Sequence, residues 1–151
     1  MAGLIGIDSN ILLYAEGVGD YGKRIIATDI LAELDYDKVV IANQVLGEMY
    51  WVLIRKSEIS RTLARDRVAM WQQVATSLPT TQAAFQLALD LSTDHNFQIW
   101  DALILAVFAE NGCTCLLSED MQDGFTWRGV EMINPLNPSG LARLNKLGFI
   151  G

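Results

Sequence analysis

The sequence predicts an α/β fold, a sandwich of helices around a mainly parallel sheet. Three observations carry this reading. Four short runs, Leu4–Ile7, Lys38–Ala42, Cys113–Leu117 and Val130–Ile133, are apolar almost from end to end rather than alternating, as strands covered on both faces are. The stretches between them carry apolar residues at helical spacing. Strand and helix therefore alternate along the chain, which is the pattern of a parallel sheet built with crossover helices.

The elements follow in order. Leu4-Ile5-Gly6-Ile7 is a buried strand that ends at Asp8, and Ser9 or Asn10 can cap a helix starting near Ile11. Gly17 to Gly22 is a loop. Lys23 to Leu34 places Ile26, Ile30 and Leu34 on one helical face, with Ala27 and Leu31 beside them. Lys38–Ala42 is the second strand, after which Asn43 can cap a helix over Gln44–Lys56. Ser60 can cap the next helix, which runs to about Ala75. Leu78-Pro79-Thr80 is a break, with room for a very short strand just before it. Thr81–His95 is helical, and Gln98–Glu110 is a strongly apolar helix stopped by Asn111-Gly112. Cys113–Leu117 is the next strand, Met121–Gly129 a polar loop, and Val130–Ile133 the last strand. Asn134-Pro135 ends it, and a tail opening at Pro138 has the makings of one more short helix. No internal repeat, low-complexity tract or second domain interrupts this pattern.

Composition narrows the function classes. A chain of 151 residues, 51% hydrophobic, suits a single domain with a real core and excludes a disordered one. No apolar stretch has the character of a membrane span, and no basic n-region precedes the first apolar residues, so neither an anchor nor a signal peptide is expected. Cys113 and Cys115 lie two apart on one strand, poorly placed for a disulfide, which fits a reducing cytoplasmic setting. One His and two Cys do not make a typical zinc site. The formal net charge of −7 argues against a nucleic-acid partner at first sight. Yet five of the eleven basic residues, Arg55, Lys56, Arg61, Arg65 and Arg67, are clustered together. They suit a solvated helix face as well as a phosphate-binding patch.

The distribution of acids is more telling. Asp8 is the only charged side chain from Met1 to Ala15, and Glu48 the only one from Val39 to Ile54. Apart from His95 itself, Asp101 is the only one from His95 to Ala109. A carboxylate buried alone is costly, and no Lys or Arg lies within any of these runs. A fourth acidic group, Ser118-Glu119-Asp120-Met121-Gln122-Asp123, follows an apolar strand. Asp8 and Asp120 both fall at carboxyl ends of strands, where open parallel sheets build their sites. Glu48 and Asp101 sit on helices able to point one acid each toward that edge. Oxygen ligands of this kind suit Mg²⁺ or Mn²⁺, and such an ion activates water and stabilises a leaving oxygen in phosphodiester hydrolysis.

Each acid also has a plain structural role open to it. Asp8 can cap a helix, Glu48 can reach solvent, and Asp101 can serve as a first-turn acid favoured by the helix dipole. Glu119, Asp120 and Asp123 can be loop acids. Ser118 suits a hydrogen bond to a ligand carboxylate or a turn. Asn10 suits orienting Asp8 or, better, a helix cap. Trp51, Trp71, Trp100 and Trp127 are placed in the core or at an interface in preference to base stacking.

Four blocks in order, Ile7-Asp8-Ser9-Asn10-Ile11-Leu12-Leu13-Tyr14-Ala15, Gln44-Val45-Leu46-Gly47-Glu48-Met49-Tyr50, Trp100-Asp101-Ala102-Leu103-Ile104 and Leu116 through Gly124, resemble PIN-domain ribonucleases of the VapC toxin type. The resemblance spans residues 4 to about 136. It implies a three-layer α/β/α sandwich and a Mg²⁺- or Mn²⁺-dependent endoribonuclease. It further implies that Asp8, Glu48, Asp101 and Asp120 form the acidic metal site. Asp120 is favoured over its acidic neighbours on this ground alone, with Asp123 a further contributor and Ser118 at a position where the family often has Ser or Thr. It implies an RNA substrate, a homodimer, and a small antitoxin whose C-terminal segment reaches the active site. Residues 1–136 then form the nuclease domain, and 137–151 a tail of the same domain. The other readings are a PIN nuclease of RNA processing and a PIN-like module that binds without cutting. A haloacid-dehalogenase-type phosphatase needs a second acid two residues after Asp8, where this chain has Asn10.

Overall fold

The computed structural model describes residues 3–150. Six strands form one sheet in the order β3-β2-β1-β4-β6-β5, with β1 Leu4–Ile7, β2 Val39–Ala42, β3 Thr76–Leu78, β4 Cys113–Leu117, β5 Thr126–Trp127 and β6 Val130–Ile133. Every pairing is parallel except β5 with β6. Seven helices accompany the sheet: α1 Ser9–Ala15, α2 Tyr21–Glu33, α3 Asn43–Lys56, α4 Arg61–Val74, α5 Gln82–His95, α6 Ile99–Glu110 and α7 Pro138–Lys146. The chain winds outward from β1 through β2 to β3, then returns through α5 and α6 to place β4 on the opposite side of β1. With right-handed crossovers, the two halves lay their helices on opposite faces. All four residues of β2 are buried, as strands between two helical layers must be. The expected three-layer α/β/α sandwich is thus the observed one. Among the described residues, no helix is long and apolar enough to cross a membrane.

Two close approaches fix the core. A side chain at Gly6, in the middle of β1, would stand 2.8 Å from the ring of Phe108. The missing Cβ lets the fully buried Phe108 of α6 lie directly on the sheet. At the other end, a Cβ on Gly140 would overlap the carbonyl oxygen of Asn134 at 1.8 Å, so α7 docks tightly behind β6. Asn137 caps α7 through Gly140 N–H at 2.7 Å, with Pro138 in its first turn. Phe149 is buried, and Leu34 pairs with Ile150 in an isolated antiparallel bridge.

Three local expectations need correction. Neither Ser9 nor Asn10 caps the first helix: α1 begins at Ser9, and Asp8 takes the cap position. Asn43 is the first residue of α3 rather than its cap, because β2 runs into the helix without a loop; Ala42 at the cap offers no side-chain hydrogen bond. The polar loop after β4 also contains β5. A turn at Arg128 and Gly129, both at positive φ, folds it back on β6 as a short hairpin.

Gly6→Ala is expected to destabilise the fold by about 1–3 kcal/mol, since the added methyl must displace Phe108 or the strand in a close-packed core. Thermal denaturation of the purified variant checks this; an unchanged melting temperature would remove Gly6 as the seat of α6.

Candidate active site

The sheet register builds the site. β1 and β4 pair Ile5 with Cys115, Gly6 with Leu116 and Ile7 with Leu117, so the next residues, Asp8 and Ser118, emerge side by side. The Asp8 N–H donates to Leu117 O at 2.9 Å, and the Ser118 N–H to Ile133 O at 3.0 Å. This is the place where strand order reverses, and there the carboxyl ends of the strands open a crevice.

Asp8 is 4% exposed. Its Oδ1 accepts from the Ser9 N–H at 2.7 Å, and its Oδ2 from the Ser118 hydroxyl at 2.7 Å and the Asn10 amide at 3.4 Å. Burial pushes its carboxyl up to about 6; the Ser118 and Ser9 hydrogen bonds oppose the rise, and the charges of Glu48 and Asp101 add to it.

Glu48 arrives from α3, where Gln44 lies one turn earlier on the same face. The Gln44 amide donates to Glu48 Oε1 at 3.2 Å and to the Trp100 carbonyl at 3.2 Å. The Ser9 hydroxyl, freed from capping, donates to Glu48 Oε2 at 3.0 Å.

Asp101 is in the first turn of α6, capped by Gln98 Oε1, which accepts the Asp101 N–H at 3.0 Å. Two helical turns separate it from Phe108, so the packing of Phe108 on Gly6 also aims Asp101 along the sheet face toward the carboxyl edge. Burial, followed by the Glu48 and Asp120 charges, raises its carboxyl above the ordinary range.

Asp120 comes from the turn after β4. Its N–H donates to Ser118 Oγ at 3.2 Å, and its Oδ2 accepts from the Asn10 amide at 3.2 Å. Asn10 is the common tie: its amide also donates to Ser118 Oγ at 3.3 Å, and its Oδ1 accepts the Glu119 N–H at 3.1 Å. It sits in the site rather than at a helix cap.

The remaining acids of the 118–123 segment turn elsewhere. Glu119 pairs with Lys23 at 2.6 Å and accepts from the Tyr14 hydroxyl. Burial would raise its carboxyl, but these bonds outweigh it and hold Glu119 below the ordinary range. Asp123 accepts from the Asn134 N–H at 2.8 Å, from Asn137 at 3.5 Å and from Arg143. It fastens α7 to the sheet, and those contacts outweigh burial to lower its pKa. The structure thus brings Asp8, Glu48, Asp101, Asp120, Ser118 and Asn10 to one edge and commits Asp123 to the C-terminal helix. Ser9 and Gln44 were not singled out from the sequence. The i,i+4 spacing of Gln44 to Glu48 is the signal that could have found Gln44.

Among the described residues, no Lys or Arg is a hydrogen-bond or ion-pair partner of Asp8, Glu48, Asp101 or Asp120. Nor do any three of their His, Cys, Asp or Glu side chains stand close enough together to hold a metal ion; the Asn10 amide stands between Asp8 and Asp120, bonded to both. An open set of hard carboxylate oxygens of this kind suits a cation that keeps several waters and takes only one or two carboxylates directly.

Fold and site together define a doubly wound α/β protein with an acidic crevice at its topological switch point. The PIN domain model matches residues 5–122, and the chain belongs to the PIN domain family. Among solved structures, the fold is similar to VapC20 of Mycobacterium tuberculosis, a Sarcin-Ricin loop cleaving toxin. That pair is 21% identical, covers 74% of this chain and 86% of that one, and has a TM-score of 0.63. It is also similar to a toxin–antitoxin complex from Klebsiella pneumoniae, at 17% identity, 83% and 94% coverage and a TM-score of 0.61. VapBC2 of Rickettsia felis, bound to a DNA fragment from its promoter, gives 12%, 85% and 96%, and 0.58. No curated protein matches the sequence.

The raised Asp8 carboxyl has a consequence for stability. Because its folded pKa, about 6, lies above the ordinary 3.8, ionisation opposes folding. The penalty is absent below about pH 4 and complete above about pH 6, reaching about 3 kcal/mol. In chelator, wild-type melting temperature is expected to fall between about pH 4 and pH 6 relative to Asp8→Asn; parallel curves would refute the assignment.

Proposed function

We propose that this PIN-domain chain is a divalent-metal-dependent endoribonuclease that hydrolyses RNA phosphodiesters and acts as the toxin of a toxin–antitoxin pair. The observation that carries the nuclease reading is the gathering of Asp8, Glu48, Asp101 and Asp120 from four separate elements at one sheet edge, without a basic partner. The likeness of the fold to a VapC toxin and to toxin–antitoxin complexes supports the toxin reading.

A bound Mg²⁺ or Mn²⁺ would supply a water of lowered pKa and neutralise charge at the scissile phosphate and the leaving oxygen. Asp8, Asp101 and Asp120 would hold it, and Glu48 would bind or position it. The protein's own contribution is to hold these groups in advance of substrate. Ser9 N–H and the Ser118 hydroxyl fix both oxygens of Asp8. Ser9 and Gln44 fix both oxygens of Glu48. Asn10 sets the spacing between Asp8 and Asp120, and the Ser118 oxygen anchors the backbone of the turn that carries Asp120.

The same acidic edge suits a basic side chain. A small antitoxin that places an Arg or Lys among these carboxylates would neutralise them with charge-assisted hydrogen bonds and exclude the metal.

Purified chain incubated with mixed cellular RNA is expected to cleave it in Mn²⁺ or Mg²⁺ and to stop in chelator. Asp8→Asn is expected to abolish cleavage while remaining folded, and to lose the metal-induced rise in melting temperature shown by the wild type. Cleavage by Asp8→Asn at the wild-type rate would overturn the assignment. A cognate antitoxin whose basic C-terminal residues are reversed to Glu is expected to inhibit far more weakly; equal inhibition would reject the charge mechanism.

A further inference from the structure

The structure sorts the five basic residues that the sequence clusters between 55 and 67. Arg67 is taken by Glu16 through two bonds of 2.5 and 2.6 Å, and Arg65 lies 3.4 Å from Asp66. Among the described residues, Arg55, Lys56 and Arg61 have no carboxylate partner. Arg55 instead lies over the Trp51 ring, its guanidinium carbon 4.6 Å from the centroid. Trp51, even with that cover, is 54% exposed.

The placement follows from helix geometry. Gln44, Glu48, Trp51 and Arg55 stand at i, i+4, i+7 and i+11 on α3, a single stripe. Its first half is the site, since Gln44 bonds both Glu48 and the Trp100 carbonyl. Its second half continues away from the carboxylates, Arg55 lying about 10 Å beyond Glu48 along the axis. There a surface cavity of about 500 Å³ opens, lined by Tyr50, Trp51, Ile54, Arg55, Ser60 and Arg61 among others, none of them acidic. The positive end of α4, which begins at Arg61, faces the same cavity.

Taking the ribonuclease reading as given, we infer that Trp51, Arg55 and Arg61 form a subsite for single-stranded RNA outside the scissile position. Trp51 stacks a base, and Arg55 and Arg61 hold the phosphates beside it. An aromatic face combined with unpaired guanidinium groups is the chemistry by which single strands are held without sequence reading. A guanidinium already laid on an indole presents its N–H fork outward with little freedom left to lose. In a chain of net charge −7, a cationic lane leading up to the carboxylate site is a local reversal of sign, complementary to a polyanion.

The test uses the full chain in the cleavage-dead Asp8→Asn form. Fluorescein-labelled short single-stranded RNA of random sequence is titrated by anisotropy in Mg²⁺. Adding Trp51→Ala is expected to weaken binding about tenfold, while Trp51→Phe keeps most of it. Arg55→Gln is expected to weaken binding and to lower the slope of log affinity against log salt by about 0.7, one phosphate contact on a single strand. Circular dichroism and sedimentation should show the same fold and mass for all variants. Unchanged affinity in Trp51→Ala, or a change of mass that assigns this face to a second copy of the chain, would overturn the subsite. If wild type cleaves RNA while Trp51→Ala binds normally, the subsite alone falls. If wild type does not cleave and the Asp8→Asn form binds no RNA, the nuclease reading falls with it.

Discussion

The site rests on one constraint, the pairing of β1 with β4 in a register that sets a buried carboxylate beside a buried hydroxyl. Among the described residues, Asp8 and Ser118 are the two buried polar side chains, and they bond to each other at 2.7 Å. A lone buried carboxylate is tolerated only with hydrogen bonds to both oxygens, and the register provides them. Slipping it by one residue would turn every side chain of β1 to the opposite face, sending Asp8 away from Ser118. The turn carrying Asp120 depends on the same hydroxyl, because Ser118 Oγ accepts the N–H groups of both Asp120 and Met121.

Helix direction supplies a second, weaker support. The helices after β1 and β2 start at the carboxyl edge, and so does α6, which runs back ahead of β4. α1 starts at Asp8, α3 carries Glu48 in its second turn, and α6 carries Asp101 in its first turn. Three positive helix ends therefore face the carboxylates, each worth about 0.3–1 kcal/mol to a nearby anion. This offsets only part of the mutual repulsion. Burial, and after it the neighbouring carboxylates, raises the carboxyls of Asp8 and Asp101, and a divalent cation or an inserted basic side chain would relieve that cost.

Asp8, Glu48 and Asp101 were legible because each stands alone in an apolar run that must be buried, Asp120 only through the family resemblance, and the strand–helix alternation was legible because its periodicities differ. What was not legible depended on contacts far apart in sequence. Asn10 looks like a helix cap by local chemistry, and only the approach of residues 118–120 across the sheet makes it the tie between Asp8 and Asp120. The β5 hairpin was hidden because its two residues have no apolar pattern and pair only once β6 is in place. Gly6 gave no sign of its role until Phe108 was set against it.

The segment Ser118–Asp123 shows how structure separates acids that sequence cannot. Glu119, Asp120 and Asp123 are similar in type and lie within five residues of one another. Glu119 meets Lys23 and Asp123 meets Arg143, and both carboxyls are held below their ordinary range. Asp120 meets an amide and, among the described residues, no Lys or Arg. The same division runs through the basic residues: Lys23, Arg67 and Arg143 are spent on fixing α2, α4 and α7 to the body of the fold, and Arg55 and Arg61 are not. Negative net charge is therefore a poor guide to the partner of this chain. What a polyanion meets is decided by which charges the fold has already paired, and at this edge the unpaired ones are carboxylates suited to a cation with a short cationic lane beside them.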